Sequence, residues 1–216
     1  MINFFPRLIT GIVYISLVAG SILYSSKSFT LIFSLLMFIA LYESNVLWKK
    51  IRLKIPENNS PIPQAYVVLS MTTLILIPFY FSDSYNPYPI LLIFILIWIS
   101  DTMSYFFGSY FGNTKMRIKV SPNKTWEGFI GGFLSCLIFS IFSFSYIQEI
   151  YPFWKTISLG IFIPVFGLIG DIYQSKLKRM AGVKDSGSIL PGHGGVFDRL
   201  DSAMGVSYIS FLITII

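Results

Sequence analysis

Charged residues and cysteines are scarce in this sequence of 216 residues. Only 12% of the residues are Asp, Glu, Lys or Arg, about half the share of a typical soluble domain. That is too little charge to coat a soluble globule, so an ordinary soluble enzyme is excluded. The single cysteine, Cys136, excludes an intramolecular disulfide and a zinc or iron–sulfur site built from several cysteines.

Apolar residues, in contrast, make up 54% of the chain, including 21 Phe and 13 Tyr. Such a composition excludes disorder and, with a mean hydropathy of +0.70, predicts a polytopic all-α membrane protein. A helix needs about 20 apolar residues to cross a bilayer. Seven stretches fit, at 8–24, 29–48, 65–81, 89–111, 128–147, 153–173 and 202–216. Arg7 before the first stretch imitates a signal peptide, but six further spans favour a retained helix.

The basic residues are distributed very unevenly between the two sides of the predicted membrane. Fourteen of the 16 Lys and Arg residues fall in segments on one side, and only Lys27 and Lys155 on the other. Because basic loops stay cytoplasmic, we expect a cytoplasmic N-terminus and a C-terminus outside. The net charge of +6 then follows from membrane topology, and no nucleic-acid partner is expected.

Six of the ten carboxylates lie at, or just beyond, the cytoplasmic ends of the fourth to seventh spans: Asp101, Glu127, Asp171, Asp185, Asp198 and Asp201. An Asp inside hydrocarbon costs about 2.5–3.5 kcal/mol, so it usually faces a cavity or a partner. Helical spacing places Asp101 with Ser104 and Gly108, and Asp171 with Ser175 and Lys178. The set predicts a shared polar site at the inner leaflet. The alternative is that each acid only pairs with a neighbouring Lys or Arg.

The residue types at this site indicate its chemistry. Carboxylates and hydroxyls without clustered His or Cys favour magnesium, calcium or manganese. Surrounding Lys and Arg suit a ligand with many negative oxygens, such as a phosphate. Together they describe a site for phosphoryl or nucleotidyl transfer. The sequence has no GxxxxGK[ST] motif, so a nucleotide would not be held by a P-loop. The location at the membrane face indicates one lipid reactant and one soluble reactant.

Residues 175–202 read SKLKRMAGVKDSGSILPGHGGVFDRLDS. This segment resembles the signature of the phosphatidate cytidylyltransferase (CDP-diacylglycerol synthase) family: S-x-x-K-R, K-D, a glycine/proline turn, H-G-G and D-R-x-D. The fixed positions correspond to Ser175, Lys178, Arg179, Lys184, Asp185, His193, Gly194, Gly195, Asp198, Arg199 and Asp201. Asp171 and the stretches 101–108 and 121–128 also resemble the family, so the likeness extends from Asp101 to Ser202.

The resemblance implies an enzyme that joins CTP to phosphatidic acid, giving CDP-diacylglycerol and pyrophosphate in phospholipid biosynthesis. It implies Mg²⁺, with a second cation left open, and a homodimer in the cytoplasmic (inner) membrane of a bacterium. Residues 1–100 would supply N-terminal transmembrane helices, and residues 101–216 the catalytic region, within one membrane domain.

The same resemblance assigns the site residues. The catalytic residues would be Asp171, Asp198, Asp201, His193 and Lys178, with the metal on Asp171, Asp198 and Asp201. Substrate contacts would come from Ser175, Arg179, Lys184, Asp185, Gly194, Gly195, Arg199, Lys124 and Asp101. The glycines would let backbone N–H groups approach phosphate oxygens.

Several alternatives stay open at this point. His193 acts either chemically or through a structural hydrogen bond, and Lys184 and Asp185 bind substrate or only pair with each other. Residues 121–128 either close the site, with Lys124 on a phosphate, or only cap a helix through Thr125. The glycine pairs 108/112 and 128/132 indicate helix packing.

Two rival functions also remain. One is an enzyme acting on another lipid phosphate or on a lipid alcohol, such as an archaeal ether lipid or a polyprenol. The other is a cation-coupled transporter. The transporter is disfavoured because the acids lie at one membrane face and the sequence shows no internal repeat.

Overall fold

The computed structural model describes residues 4–55, 62–80, 84–190 and 194–216, and the regular structure in these ranges is helical. Every predicted span coincides with one α-helix, which confirms the all-α prediction. The helices of the described part are α1 (Phe4–Tyr24), α2 (Ser26–Lys54), α3 (Ile62–Leu76), α4 (Tyr88–Tyr110), α5 (Trp126–Ile147), α6 (Phe153–Ala181) and α7 (Asp201–Ile215). Short 3-10 turns cover Ile77–Phe79 and Phe197–Arg199.

Helix length and composition identify the protein as a multi-pass membrane protein. The helices α2, α4, α5 and α6 are long and apolar enough to cross a bilayer. Shorter apolar helical stretches cover Ile9–Tyr24, Pro63–Phe79 and Asp201–Ile215. The seventh stretch, already short in the sequence, is the last of these.

The helix α6 continues eight residues beyond its predicted end at residue 173, as far as Ala181. The residues that extend it, QSKLKRMA, are mostly good helix formers. It ends where Gly182 adopts a left-handed conformation with φ 74°. The predicted span ended too early, but the predicted helical spacing of Asp171, Ser175 and Lys178 is confirmed, since both Ser175 and Lys178 lie on the last turns of α6.

Glycines allow the helices that carry the site to approach closely. A β-carbon on Gly170 of α6 would lie 2.4 Å from the carbonyl oxygen of Asp201 and 2.7 Å from the Cα of Gly205 in α7. Between α4 and α5, a β-carbon on Gly128 would lie 3.0 Å from the Cα of Gly108. The predicted role in helix packing is confirmed for Gly108, Gly128 and Gly132, whereas Gly112 lies beyond the end of α4.

The connection from α6 to α7 is anchored in the helix bundle. Phe197 is fully buried and packs in a small groove with Leu47 and Trp48 of α2 and Leu177 of α6. Val196 and Leu200 beside it are also buried. The residues between them, Asp198 and Arg199, are therefore held at a fixed place beside α7.

Candidate active site

Two cavities lie side by side among the helices. The first, which we call the α5 cavity, has a volume of about 420 Å³ and is bounded by α4, α5, α6 and the loop before α5. The second, the α1 cavity, has a volume of about 490 Å³ and is bounded by α1, α4, α7 and the end of the α6–α7 loop. Asp101, Asp171 and Ser202 line both cavities. These three residues form a shared wall.

Carboxylates from three helices lie in or beside the shared wall. Asp101 comes from α4, Asp171 from α6, and Asp201 from the first turn of α7. The Ser202 hydroxyl donates to Asp101 Oδ1 at 3.3 Å, and the close approach of Gly170 and Gly205 brings Asp171 beside Asp201. Asp201 lies within electrostatic range of both Asp101 and Asp171. The result is a concentration of negative charge that favours a cation.

Lys124 balances part of this negative charge. Its ammonium group lies 2.5 Å from Asp171 Oδ2. A short loop positions it: the Met116 N–H donates to the Lys124 carbonyl at 3.0 Å, and the Trp126 N–H donates to the Thr114 carbonyl at 3.0 Å. Thr125 also caps α5 by accepting the Gly128 N–H at 3.2 Å. The capping interpretation is correct, and the same loop brings Lys124 to the site.

Glu127 has a structural role in this loop. Its two carboxylate oxygens accept the Thr114 N–H at 2.9 and 3.1 Å. It lines neither cavity among the described residues. Glu127 is one of the six acids that the sequence predicts to share a polar site. In the structure it instead holds the loop that carries Lys124.

Asp198 is buried, with 4% of its surface exposed, and its carboxylate is surrounded by donors. Oδ1 accepts the Lys178 ammonium at 2.7 Å, and Oδ2 accepts the Ser186 N–H at 2.7 Å and the Gly195 N–H at 3.0 Å. Burial acts to raise the pKa of Asp198, but the Lys178 and backbone donors outweigh it and hold the pKa below its ordinary value. Asp198 is therefore an ionised carboxylate with Lys178 as its counter-ion.

Glu43 of α2 lies beside the site, although the sequence did not indicate a role for it there. Its carboxylate is buried, with 2% of the residue exposed, and accepts the Ser186 hydroxyl at 2.8 Å and the Phe197 N–H at 2.8 Å. One feature of the sequence could have indicated Glu43: it is an acid in an otherwise apolar span. An acid there costs about 2.5–3.5 kcal/mol of insertion free energy, so it usually has a partner.

The other predicted site residues lie in different surroundings. Arg199 is exposed and lines the α1 cavity, and its carbonyl accepts the Tyr14 hydroxyl at 3.2 Å. Ser175 donates to Asp171 Oδ1 at 3.3 Å. Three residues are exposed and line neither cavity: Arg179, Lys184 and Asp185. The Gly195 N–H is directed at Asp198, and Gly194 turns the chain with φ 83°. His193 lies outside the described residues.

Comparison with known proteins assigns the chain to a family. Residues 62–216 match the Cytidylyltransferase family. The chain belongs to this family. It is 44% identical over 128 residues to a phosphatidate cytidylyltransferase of Staphylococcus haemolyticus, covering 59% of this chain and 49% of that protein.

Two more relatives carry the same name. Identity is 44% over 117 residues with the protein of Staphylococcus saprophyticus, covering 54% of this chain and 45% of the relative. It is 42% over 128 residues with that of Staphylococcus aureus, covering 59% and 49%. The chain spans about half the length of the curated relatives it matches. Glu43 and Tyr14 lie before the part of this chain that matches the cytidylyltransferase family, whereas the three carboxylates lie within it.

The donor set of this cytidylyltransferase family member fits a hard divalent cation. Mg²⁺ usually binds one or two carboxylates plus substrate phosphates and keeps several waters. Asp101, Asp171 and Asp201 offer such oxygens on the α1 cavity. In the described part of the chain, no three His, Cys, Asp or Glu side chains are placed to hold a metal by themselves, so phosphates and water would complete the coordination. At Asp198, a cation would have to take the place of the Lys178 ammonium.

Proposed function

We propose that the protein transfers the cytidylyl group of CTP to phosphatidic acid, forming CDP-diacylglycerol and pyrophosphate. It would act at the cytoplasmic face of the bacterial inner membrane, in phospholipid biosynthesis. The observation that carries the proposal is the wall of Asp101, Asp171 and Ser202 shared by two cavities. Two separate pockets suit two different substrates, and the shared wall is where their reacting groups would meet. The names of the staphylococcal relatives point to the same reaction.

The bond changes fit such an arrangement. A phosphate oxygen of phosphatidic acid attacks the α-phosphorus of CTP and forms a new P–O–P linkage. The bond from the α-phosphorus to the oxygen bridging it to the β-phosphorus breaks, and pyrophosphate leaves with that electron pair. The lipid phosphate is already ionised near pH 7, so the reaction does not demand a general base. For that reason His193 is not required to move a proton.

The protein's own part in the reaction is to bring two anions together. Lys124 lines the α5 cavity and Arg199 the α1 cavity, so each pocket has a cation for a phosphate. Fixed positive charge close to the developing charge is the largest source of rate enhancement in many enzymes. The apolar residues of the cavity walls, such as Phe129 and Trp98, exclude water around the reacting groups.

We propose Mg²⁺ as the cofactor, held by one or two of the carboxylates of Asp101, Asp171 and Asp201 together with substrate phosphates and water. When bound, the cation would neutralise negative charge on the phosphate oxygens and on the leaving pyrophosphate. The sequence-based assignment of Asp198 to the metal stays a prediction, as do the second cation, the homodimer and the cytoplasmic N-terminus. Asp198 borders the same cavity and would orient Lys178 if it does not bind the cation directly.

The test uses the purified full chain reconstituted in lipid, with CTP labelled at the α-phosphate and with phosphatidic acid. We expect magnesium-dependent transfer of label to lipid and release of one pyrophosphate per labelled lipid. Diacylglycerol is the matched control, because it has the same chains but lacks the attacking phosphate, and it should remain unlabelled. Labelling of a polyprenyl phosphate alone would favour the rival lipid substrate, and cation flux without turnover would favour the transporter. Folded protein that labels no lipid would contradict the proposal.

A further inference from the structure

Glu43 is bound by the loop that joins α6 to α7, although it belongs to α2. Its carboxylate accepts the Ser186 hydroxyl at 2.8 Å, the Phe197 N–H at 2.8 Å and the Val196 N–H at 3.2 Å. These donors come from both ends of the loop. The carboxylate therefore joins its two ends, at a distance of 143 residues along the chain from Ser186.

The loop also leaves room for this carboxylate. A β-carbon on Gly187 would lie 2.4 Å from Glu43 Oε1, and a β-carbon on Gly195 would lie 2.3 Å from Oε2. Any larger residue at either position would collide with Glu43. The glycines of the loop thus form part of a socket for the Glu43 side chain.

Ser186 connects Glu43 to Asp198. The Ser186 hydroxyl oxygen lies 2.8 Å from Glu43 Oε2 and 3.0 Å from Asp198 Oδ2. A hydroxyl has one proton to donate, so the Ser186 hydroxyl donates to only one of the two carboxylates at a time. The Ser186 N–H also donates to Asp198 at 2.7 Å. Any movement of Ser186 would therefore disturb two of the contacts that hold the Asp198 carboxylate.

We propose that Glu43 is a positioning residue for the reaction, holding the α6–α7 loop so that Asp198 and Arg199 face the α1 cavity. It acts through Ser186 and through the backbone of residues 196 and 197, and it need not touch a substrate. The inference rests on the proposed function for its kinetic consequence. It goes beyond that function because it assigns a role to α2, which precedes the family match at residues 62–216.

The experiment compares Glu43→Gln with the matched control Glu149→Gln. Glu149 is an exposed acid in the turn after α5, so its replacement changes the net charge equally. We expect E43Q to lower kcat roughly 10²-fold, the cost of a displacement of about 1 Å at a reacting group. The KM values for CTP and phosphatidic acid should stay within about twofold, because uniform binding is not removed. E149Q should match the wild type. Glu43→Asp, which keeps the charge on a shorter side chain, should recover part of kcat.

Ser186→Ala is the second variant, since it removes the bridging hydroxyl and leaves the backbone N–H. It should lower kcat in the same way, and the E43Q/S186A pair should be no slower than the worse single variant because both act on one chain of contacts. Kinetics are measured per folded molecule, with the melting temperature recorded beside them. A merely structural role would lower the melting temperature and leave kcat per folded molecule unchanged, and that result would overturn the proposal.

Hydrogen–deuterium exchange across residues 184–200, measured without substrates, separates this inference from the proposed function. Faster exchange at Val196 and Phe197 in E43Q, with E149Q unchanged, supports the positioning role. Wild-type exchange in E43Q overturns it. Should E43Q fail to fold, folded S186A with wild-type kcat and exchange overturns it too. An inactive wild-type protein would instead count against the proposed function and leave the exchange comparison valid.

Discussion

The Lys124 ammonium and the Asp171 carboxylate lie 2.5 Å apart, and this pair ties the loop before α5 to α6. Because Asp171 lines both cavities and Lys124 lines the α5 cavity, the pair stands where two anionic substrates would meet. A phosphate in the α5 cavity would compete with Asp171 for Lys124. The carboxylate would then be available to a divalent cation.

Replacing Lys124 tests this relationship. Lys124→Ala should lower kcat/KM by roughly 10²–10³-fold, the usual cost of losing one charge contact to the transition state. The matched control is Lys119→Ala, which removes an exposed lysine from the same loop and should leave the kinetics unchanged. Initial rates with labelled CTP measure both. Equal losses in the two variants would show only a general effect of positive charge.

Asp171 and Asp201 should be needed for turnover but not for folding. We expect Asp171→Asn and Asp201→Asn to abolish detectable lipid labelling, because each removes charge from the cation-binding wall. Both should insert into membranes and purify as the wild type does, and E149Q is again the matched control. The measurement is turnover at several magnesium concentrations together with the melting temperature. Wild-type turnover in either folded variant would remove that residue from the proposed metal site.

The sequence predicted the helices well because hydrophobic length is a local property. Seven apolar stretches gave seven helices in the described part of the chain. Both α2 and α6 were underestimated, since α2 continues to Lys54 and polar helix formers extend α6 to Ala181. The motif also predicted that Asp171, Asp198 and Asp201 belong to one site. In the structure, all three line the α1 cavity.

Contacts between distant segments could not be predicted from the sequence. Asp101 was assigned to substrate binding, and its place in the wall beside Ser202 depends on how α4 meets α7. Glu43 contacts residues that follow it by 143 to 154 positions, and neither spacing nor periodicity carries such information. The resemblance assigned Asp198 to the metal. Its contacts with the Ser186 and Gly195 N–H groups could not be predicted, because only the fold determines the directions of loop backbone groups.

The Asp198–Lys178 pair should give the protein an acid-sensitive contribution to stability. The folded-state pKa of Asp198 is lowered, so its ionised form stabilises the fold above the unfolded-state pKa of about 3.9. This contribution is lost as the pH falls through the lower folded-state pKa. The melting temperature of the detergent-solubilised protein should therefore fall on acidification below about pH 4.

Asp198→Asn should remove that part of the pH dependence and should also be less stable at pH 7. Removing one member of a buried ion pair costs about 3–5 kcal/mol, because the other charge is left without a partner. Adding Lys178→Met should restore part of the lost stability. A stable D198N protein whose melting temperature still falls with acid as the wild type's does would contradict this account.

The two cavities should bind different substrates. Ser109 and Thr102 are exposed hydroxyl residues of α4, and each lines a different cavity, Ser109 the α5 cavity and Thr102 the α1 cavity. Replacing either one with Leu fills part of one cavity. Each variant should raise the KM of one substrate by roughly tenfold with little change in kcat, as expected when uniform binding is lost. Ser109→Leu and Thr102→Leu should affect different substrates. An increase in the same KM in both would show that the cavities form one binding site.

The crossing of α6 and α7 is required to keep the carboxylates together. Gly170→Ala would place a β-carbon 2.4 Å from the Asp201 carbonyl oxygen, a backbone atom that cannot move without α7. We expect a loss of about 1–3 kcal/mol, typical of overpacking. Turnover should also fall, because the added methyl group would push α7, and with it Asp201, away from Asp171. Gly20→Ala on α1 is the matched control, since a β-carbon there meets nothing within 4 Å. The melting temperature and kcat measure the two effects, and a G170A protein that keeps both would show that Asp201 does not depend on this contact.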